Sequence, residues 1–349
     1  MYNDVPERKD CPITPTQCPQ RLWPTAFHFL ARDMKLLFAL IALASAEPEA
    51  MTASNLLKSS AAMLAGGRGS STSAKQPLKV VAAGLGRTGT ASLKEALTKL
   101  GLKTYHMKDG VMDTPGHMEL WSEHAAKMMQ GESGKASANA IMDKMAEDGF
   151  NATTDMPSCY FAADGTFLRR YSDAKVILTV RDSQAWATSI VQTIGRNFNV
   201  FGRLPWRLIP MIPPFLVMNE WMWKETGLPE SAWDPQSRLP DHAALVKAHD
   251  SWVAKVKRAV PRSRLLVFRP TDGWGPLCAF VSPVDPMIAA RCEAILKSGE
   301  PYPHLNDTNM MRTVYAVFVG LSYVFLAAPL LCVACVRRRA IKKSVKKAD

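Results

Sequence analysis

The chain has 349 residues, 47% hydrophobic and 21% charged, with 43 Lys plus Arg against 31 Asp plus Glu. That length is enough for one large domain or two small ones with a real core, and the composition excludes a disordered or collagen-like polypeptide. The net charge of +12 sits largely at one end, because residues 337–349 carry seven basic residues and one acid. The near-balanced remainder suits an anionic ligand and gives no support for nucleic-acid binding.

In chain order, the first segment reads as an address. Met34-Lys35, the run LLFALIAL and Ala44-Ser45-Ala46 have the positive start, short apolar stretch and small-x-small site of a secretory signal. Residues 1–46 are therefore expected to be a leader with a signal peptide at 34–46, the competing reading being a buried helix. Residues 47–76, rich in Ala, Ser and Gly, read as a flexible linker.

Residues 77–309 read as one α/β domain. KVVAAG is a short run suited to a strand buried on both faces. GLGRTGT is a turn, and Ala91–Leu100 is a helix ended by Gly101. LKTYHM reads as a second strand, followed by helices near Pro115–Met129 and Ala136–Asp148. FNATTD and KVILTV are a third and a fourth strand, with a helix around Tyr160–Tyr171 between them and another over Ser183–Gly195. After a Trp- and Pro-rich insertion, with Phe198, Phe201, Trp206, Trp221 and Trp223 in residues 198–224, RLLVF (264–268) is a fifth strand. The alternation predicts a three-layer, P-loop-like parallel sheet with helices on both faces, whose ligands bind at the carboxyl ends of the strands.

The last segments complete a membrane topology. Thr313–Val336 is 24 residues without a charged side chain. As a helix at ~1.5 Å per residue it would exceed a hydrocarbon core of ~30 Å, so a C-terminal transmembrane helix is expected. The basic tail, 337–349, then stays cytosolic. With the signal peptide this predicts a type I, single-pass protein of the endoplasmic reticulum or Golgi with a lumenal catalytic domain. Asn151-Ala152-Thr153 and Asn306-Asp307-Thr308 would be available glycosylation sequons, and Lys346-Lys347 resembles a dilysine retrieval signal. Cys159, Cys278 and Cys292, the cysteines between leader and span, have no metal-ligand spacing and leave one disulfide among them open.

The main chemical signal is the first strand-to-helix turn. Gly84, Gly86 and Gly89 bring backbone N–H groups together at the positive end of a helix, a ready anion site, and Arg87, Thr88 and Thr90 add a cation and hydroxyl donors. The spacing satisfies the dinucleotide fingerprint and nearly satisfies the nucleotide P-loop, but Thr90-Ala91 stands where Lys-Ser/Thr belongs. The fourth strand discriminates between the two: it runs into Arg181, and Ser189 follows eight residues later, a pair able to grip a second phosphate. Asp155 after the third strand is a candidate general base, and His106 at the end of the second is its rival. No metal is required, because the chain supplies the cations.

GLGRTGTASL, TDMP and VRDSQAWATS resemble the sulfotransferases, specifically a membrane-associated branch. The resemblance covers residues 79–309. It implies that the Gly-rich loop cradles the 5′-phosphosulfate of 3′-phosphoadenosine 5′-phosphosulfate, that Arg181 and Ser189 hold the 3′-phosphate, and that Arg87 takes the place of the family's loop Lys or Arg. Asp155 falls where cytosolic members carry a catalytic His and some Golgi members a Glu. Trp274 is a further candidate for the adenine or acceptor pocket. The basic, Gly-rich segment that completes 3′-phosphate binding in cytosolic members is missing, and Ser282–Lys297 looks like extra sequence. The acceptor is expected to be a small molecule, lipid or glycan. Two other classes stay in view: a nicotinamide-dependent oxidoreductase or epimerase, supported by the glycines and Asp109, and a non-catalytic membrane adaptor.

Overall fold

The computed structural model describes residues 77–203, 206–233, 239–305, 311–313 and 315–323, without the side chains of 197–199. The expected leader, its signal peptide, the linker, the sequon at Asn306 and the basic tail lie outside the described residues.

Five short strands, β1 (Val80–Ala82), β2 (Thr104–Tyr105), β3 (Ala152–Thr153), β4 (Lys175–Thr179) and β5 (Leu265–Phe268), make one parallel sheet in the order β2-β3-β1-β4-β5. β1 is central, with Val80 opposite Ala152 on one side and Lys175 on the other. Its side chains divide with the two-residue period of a strand: Val81 joins one apolar core with Val176 and Leu178, while Val80 and Ala82 join a second with Ile177 and Phe268. A strand apolar on both faces needs helices on both faces, and it has them.

The smaller core is closed by α1 (Thr90–Lys99), α10 (Trp274–Val281) and α11 (Pro286–Ser298). Leu93, Ala96 and Leu97 form the buried stripe of α1, and Gly101, in a left-handed conformation with φ 88°, ends it. The larger core takes α2 (His117–Met129), α3 (Lys135–Glu147), α4 (Ser158–Ala163), α5 (Thr166–Arg170), α6 (Ser183–Ile190), α8 (Ile212–Thr226) and α9 (His242–Ala259). The short α7 (Arg196–Phe201) precedes α8. Asp182 and Asp241 cap α6 and α9, each accepting a backbone N–H at 2.8 Å.

Several sequence expectations need correction. The helix expected over Tyr160–Tyr171 is two, α4 and α5, because Gly165 between them has φ 79°. The one expected over Ser183–Gly195 is α-helical only to Ile190 and continues as a π turn, Val191–Gly195; a second π turn, Met107–Met112, follows β2. Ser282–Lys297 is no superfluous insertion: α11 buries Ile288, Cys292 and Ile295 in the smaller core, and Cys292 forms a disulfide with Cys278 of α10. In the Trp-rich insertion, Trp206, Trp221 and Trp223 are buried, so they pack the domain.

The membrane topology is overturned. No helix among the described residues is long and apolar enough to cross a membrane. The described start of the expected span, residues 311–313 and 315–323, is helical, and its apolar side chains have partners within the domain. Phe318 is buried against Phe201 and Trp206, and Ser322 accepts the Trp206 indole N–H at 2.7 Å. Residues 324–336 lie outside the described residues. The single-pass, lumenal localisation loses its support with the span. Asn151 is buried at the head of β3, with its backbone bonded to Lys103 and Lys79, so that sequon offers no glycan site on the folded domain.

His124 shows the cost of placing a titratable ring in such a core. It lies edge-on to Trp121, Phe161 and Trp221, with Nδ1 2.8 Å from Ser137 Oγ, and burial lowers its pKa from 6.5 to about 4. The unfolded chain therefore binds a proton that the folded one refuses, so stability falls as pH drops from about 6.5 toward 4. Melting temperatures measured across that range should fall more steeply for the wild type than for His124→Gln, which cannot gain the charge.

Candidate active site

Parallel sheets open a crevice at the carboxyl ends of the strands where the winding direction reverses, and here that point lies between β1 and β4. The β1–α1 loop fills it. Gly84 sits so close to β4 that a Cβ would fall 1.8 Å from Thr179 Oγ1, and a Cβ at Gly89, where φ is 94°, would fall 2.3 Å from Pro270 Cγ. Glycine at these two positions is required by packing, not by flexibility alone.

Two indoles hold the loop from beneath. Trp252 of α9 donates to Ala83 O and Trp186 of α6 to Gly86 O, both at 2.8 Å. With the carbonyls turned into the core, the leading N–H groups of α1 face outward. The Gly89 cap has no side-chain hydrogen bond, and the first turn has no acidic residue. Thr90, buried, is the first helical residue. Thr88 behaves differently from expectation: its hydroxyl lies 2.6 Å from Leu85 O and 2.6 Å from Thr179 Oγ1, bracing the loop internally.

Arg87, Arg181 and Ser189 meet. Arg87 Nε donates to Ser189 Oγ at 3.2 Å, and Arg181 reaches the Arg87 carbonyl at 3.4 Å. Two guanidinium groups and a hydroxyl from two strand ends and one helix thus stand beside the open start of α1.

The rival bases also meet. His106 Nε2 is 3.3 Å from Asp155 Oδ2, and both side chains are mostly buried, 14% and 11% exposed. His106 Nδ1 accepts the Lys108 N–H at 3.3 Å, which places the ring proton of the neutral form on Nε2, facing the carboxylate. Asp155 Oδ1 is buried and without a hydrogen-bond partner among the described residues. It lies against the loop, since a Cβ at Gly86 would fall 3.1 Å from it.

Among the described residues the non-glycine positions with positive φ are Arg87 (72°) and Asp155 (73°). A left-handed backbone costs such a residue roughly 1–3 kcal/mol and persists only where its surroundings impose it. At Asp155 those surroundings include Ser158 Oγ and the Cys159 N–H, both bonded to its carbonyl at 3.0 Å. The two strained residues lie on opposite sides of Gly86.

Two other candidates are elsewhere. Asp109, the acid a dinucleotide reading needs, is paired with Lys94 of α1 at 2.6 Å. Trp274 is buried in the smaller core, 5.2 Å from the Tyr302 ring. No group of three or more His, Cys, Asp or Glu side chains among the described residues is arranged to hold a metal. Sequence reasoning passed over Trp186, Trp252 and Thr179, the groups that shape the loop. The available signal was chemical: a Trp on a buried helix stripe has an N–H that must find an acceptor. Trp186→Phe should leave the Gly86 carbonyl unpaired and cost about 1–3 kcal/mol of stability in urea unfolding.

Comparison with known proteins agrees with this geometry. Residues 79–311 match the family described as "Sulfotransferase domain". A relative, Ava biosynthesis cluster protein M of Aspergillus versicolor, is 31% identical over 216 residues, covering 58% of this chain and 76% of that protein. The family match spans the sheet, the glycine loop and both arginines, and the chain belongs to the sulfotransferase-domain family.

Proposed function

We propose that the chain transfers a sulfuryl group from 3′-phosphoadenosine 5′-phosphosulfate to an acceptor hydroxyl, with Asp155 as the general base. The observation that carries this reading is the convergence of Arg87, Arg181 and Ser189 on the uncapped start of α1. One anion at a helix start needs the loop alone, whereas a donor with separated 5′ and 3′ charges needs cations on both the loop and β4. The residues present fit such a donor: Gly84, Gly86 and Gly89 allow close backbone approach, and no acid stands in the first turn.

The donor supplies an activated sulfuryl group on a phosphate leaving group. The chain's own groups have three tasks. The α1 N–H groups and Arg87 stabilise the negative charge that grows on the departing oxygen, an effect of ~3–4 kcal/mol for a single well-placed donor. Arg181 and Ser189 hold the distal phosphate and fix the direction of attack. Asp155 Oδ1 takes the hydroxyl proton.

The hydrogen-bond inventory favours Asp155 over His106 as base. With Nδ1 engaged by Lys108 and Nε2 protonated toward Asp155, His106 has no lone pair left for a substrate, whereas Asp155 keeps one oxygen without a partner. His106 then orients the carboxylate. Catalytic contacts of this kind tighten when substrate is bound. The relative named for a biosynthesis cluster supports a small-molecule acceptor.

Calorimetry on the full chain tests the donor site. Adenosine 3′,5′-bisphosphate should bind in the micromolar range and better than ATP or NAD, and Arg181→Ala should remove the preference for the 3′-phosphate. Preferential NAD binding would refute the reading. Asp155→Asn should lower kcat by roughly 10²–10⁴ while bisphosphate affinity stays unchanged.

A further inference from the structure

Next to Asp155 the loop is lined by apolar groups. The space a Gly86 side chain would occupy is bounded by Asp155 Oδ1, Met156 Cε at 3.1 Å and Ile194 Cδ1 at 3.8 Å. Ile194 is on the π turn Val191–Gly195, and His106 caps the other π turn, whose first residue is Met107. Both Met107 and Ile194 are only partly buried where they pack on the larger core. Short π-helical segments widen a helix locally and recur at ligand sites. Here two of them meet the same carboxylate, one through His106 and one through Ile194 across Gly86.

Charge around this side of the rim is already neutralised within the chain. Lys94 pairs with Asp109 at 2.6 Å and Lys108 with Asp113 at 3.3 Å, while Arg87 and Arg181 stand at the donor end beside Ser189. A polyhydroxylated or anionic acceptor needs polar partners along its length, because each buried hydroxyl left unpaired costs about 1–3 kcal/mol. The groups beside Asp155 are thioether and aliphatic, and sulfur packs favourably on aromatic rings.

We infer that the acceptor is an alcohol or phenol carried on an uncharged, apolar ring skeleton, seated between Met107, Met156 and Ile194 with its hydroxyl toward Asp155 Oδ1. This rests on the donor reading above. In the transfer, the acceptor oxygen bonds to sulfur as the sulfur–oxygen bond to the leaving phosphate breaks. The hydroxyl proton goes to Asp155, and the bisphosphate leaves with the electron pair.

The test uses the full chain saturated with adenosine 3′,5′-bisphosphate, titrated calorimetrically with 2-naphthol and, separately, with an N-acetylglucosamine trisaccharide. Naphthol should bind and the trisaccharide should not. Ile194→Asp should weaken naphthol about tenfold or more, the equivalent of ~1.4 kcal/mol, without changing bisphosphate affinity, and Ile194→Val should retain binding. Trisaccharide binding, naphthol binding indifferent to Ile194→Asp, or no binding of either probe would each overturn the inference. If the bisphosphate itself fails to bind, the donor reading fails and this inference falls with it. If the bisphosphate binds and naphthol does not, only the acceptor inference is lost.

Discussion

The carbonyls of Ala83 and Gly86 set the terms for the rest of the domain. A loop that turns its N–H groups outward for an anion must turn carbonyls inward, into a region with no water to receive them. Neither the sheet nor α1 can take these two. The indoles of Trp252 and Trp186 do, each from a different helix of the larger core. The placement of α6 and α9 is thus tied to the electrostatics of a loop formed a hundred residues earlier. The same packing brings Arg181 and Ser189, which flank α6, to Arg87. Binding geometry and core geometry share one set of contacts.

Much of this was legible in the sequence because the informative residues occupy punctuated positions. Glycines in the first turn, the Arg at the end of β4 and the Ser eight residues beyond follow from local patterns that repeat wherever a strand feeds a helix. Strand order was not legible, because parallel pairing depends on crossovers. Nor was the contact between His106 and Asp155, two residues placed as rivals from chain position alone. They follow β2 and β3, which are neighbours in the sheet, so their side chains share one rim. Thr88 shows the opposite failure: its place in the motif suggested a ligand donor, and the neighbouring Thr179 claims its hydroxyl.

The apolar segments show why hydropathy alone misleads. In the described part of the stretch from Thr313, Phe318 and Ser322 meet Trp206 and Phe201, so the apolar side chains of that helix have a protein surface to cover. The Trp-rich insertion and this helix complete each other. A run of uncharged residues records a demand for burial and leaves open what will satisfy it. Similarly, Ser282–Lys297 looked dispensable because its apolar residues are spaced for a helix without a visible partner. The partner is the face of the sheet already occupied by α1 and α10, with Cys278 and Cys292 joining the last two helices.

The central position of β1 has a consequence for how the chain is made. Val80 emerges early, yet its two neighbours are Ala152 and Lys175, 72 and 95 residues later. At a synthesis rate of about 5–20 residues per second, the strand that anchors the glycine loop waits roughly 5–20 s before both edges can be paired. During that interval Val80, Val81 and Ala82, fully buried in the finished fold, have neither sheet nor helix over them. The anion-binding loop therefore cannot be assembled by its own sequence as it is translated. It becomes competent only once Thr179, Trp186 and finally Trp252 have been made, which sets a late, single point at which the nascent chain acquires its site.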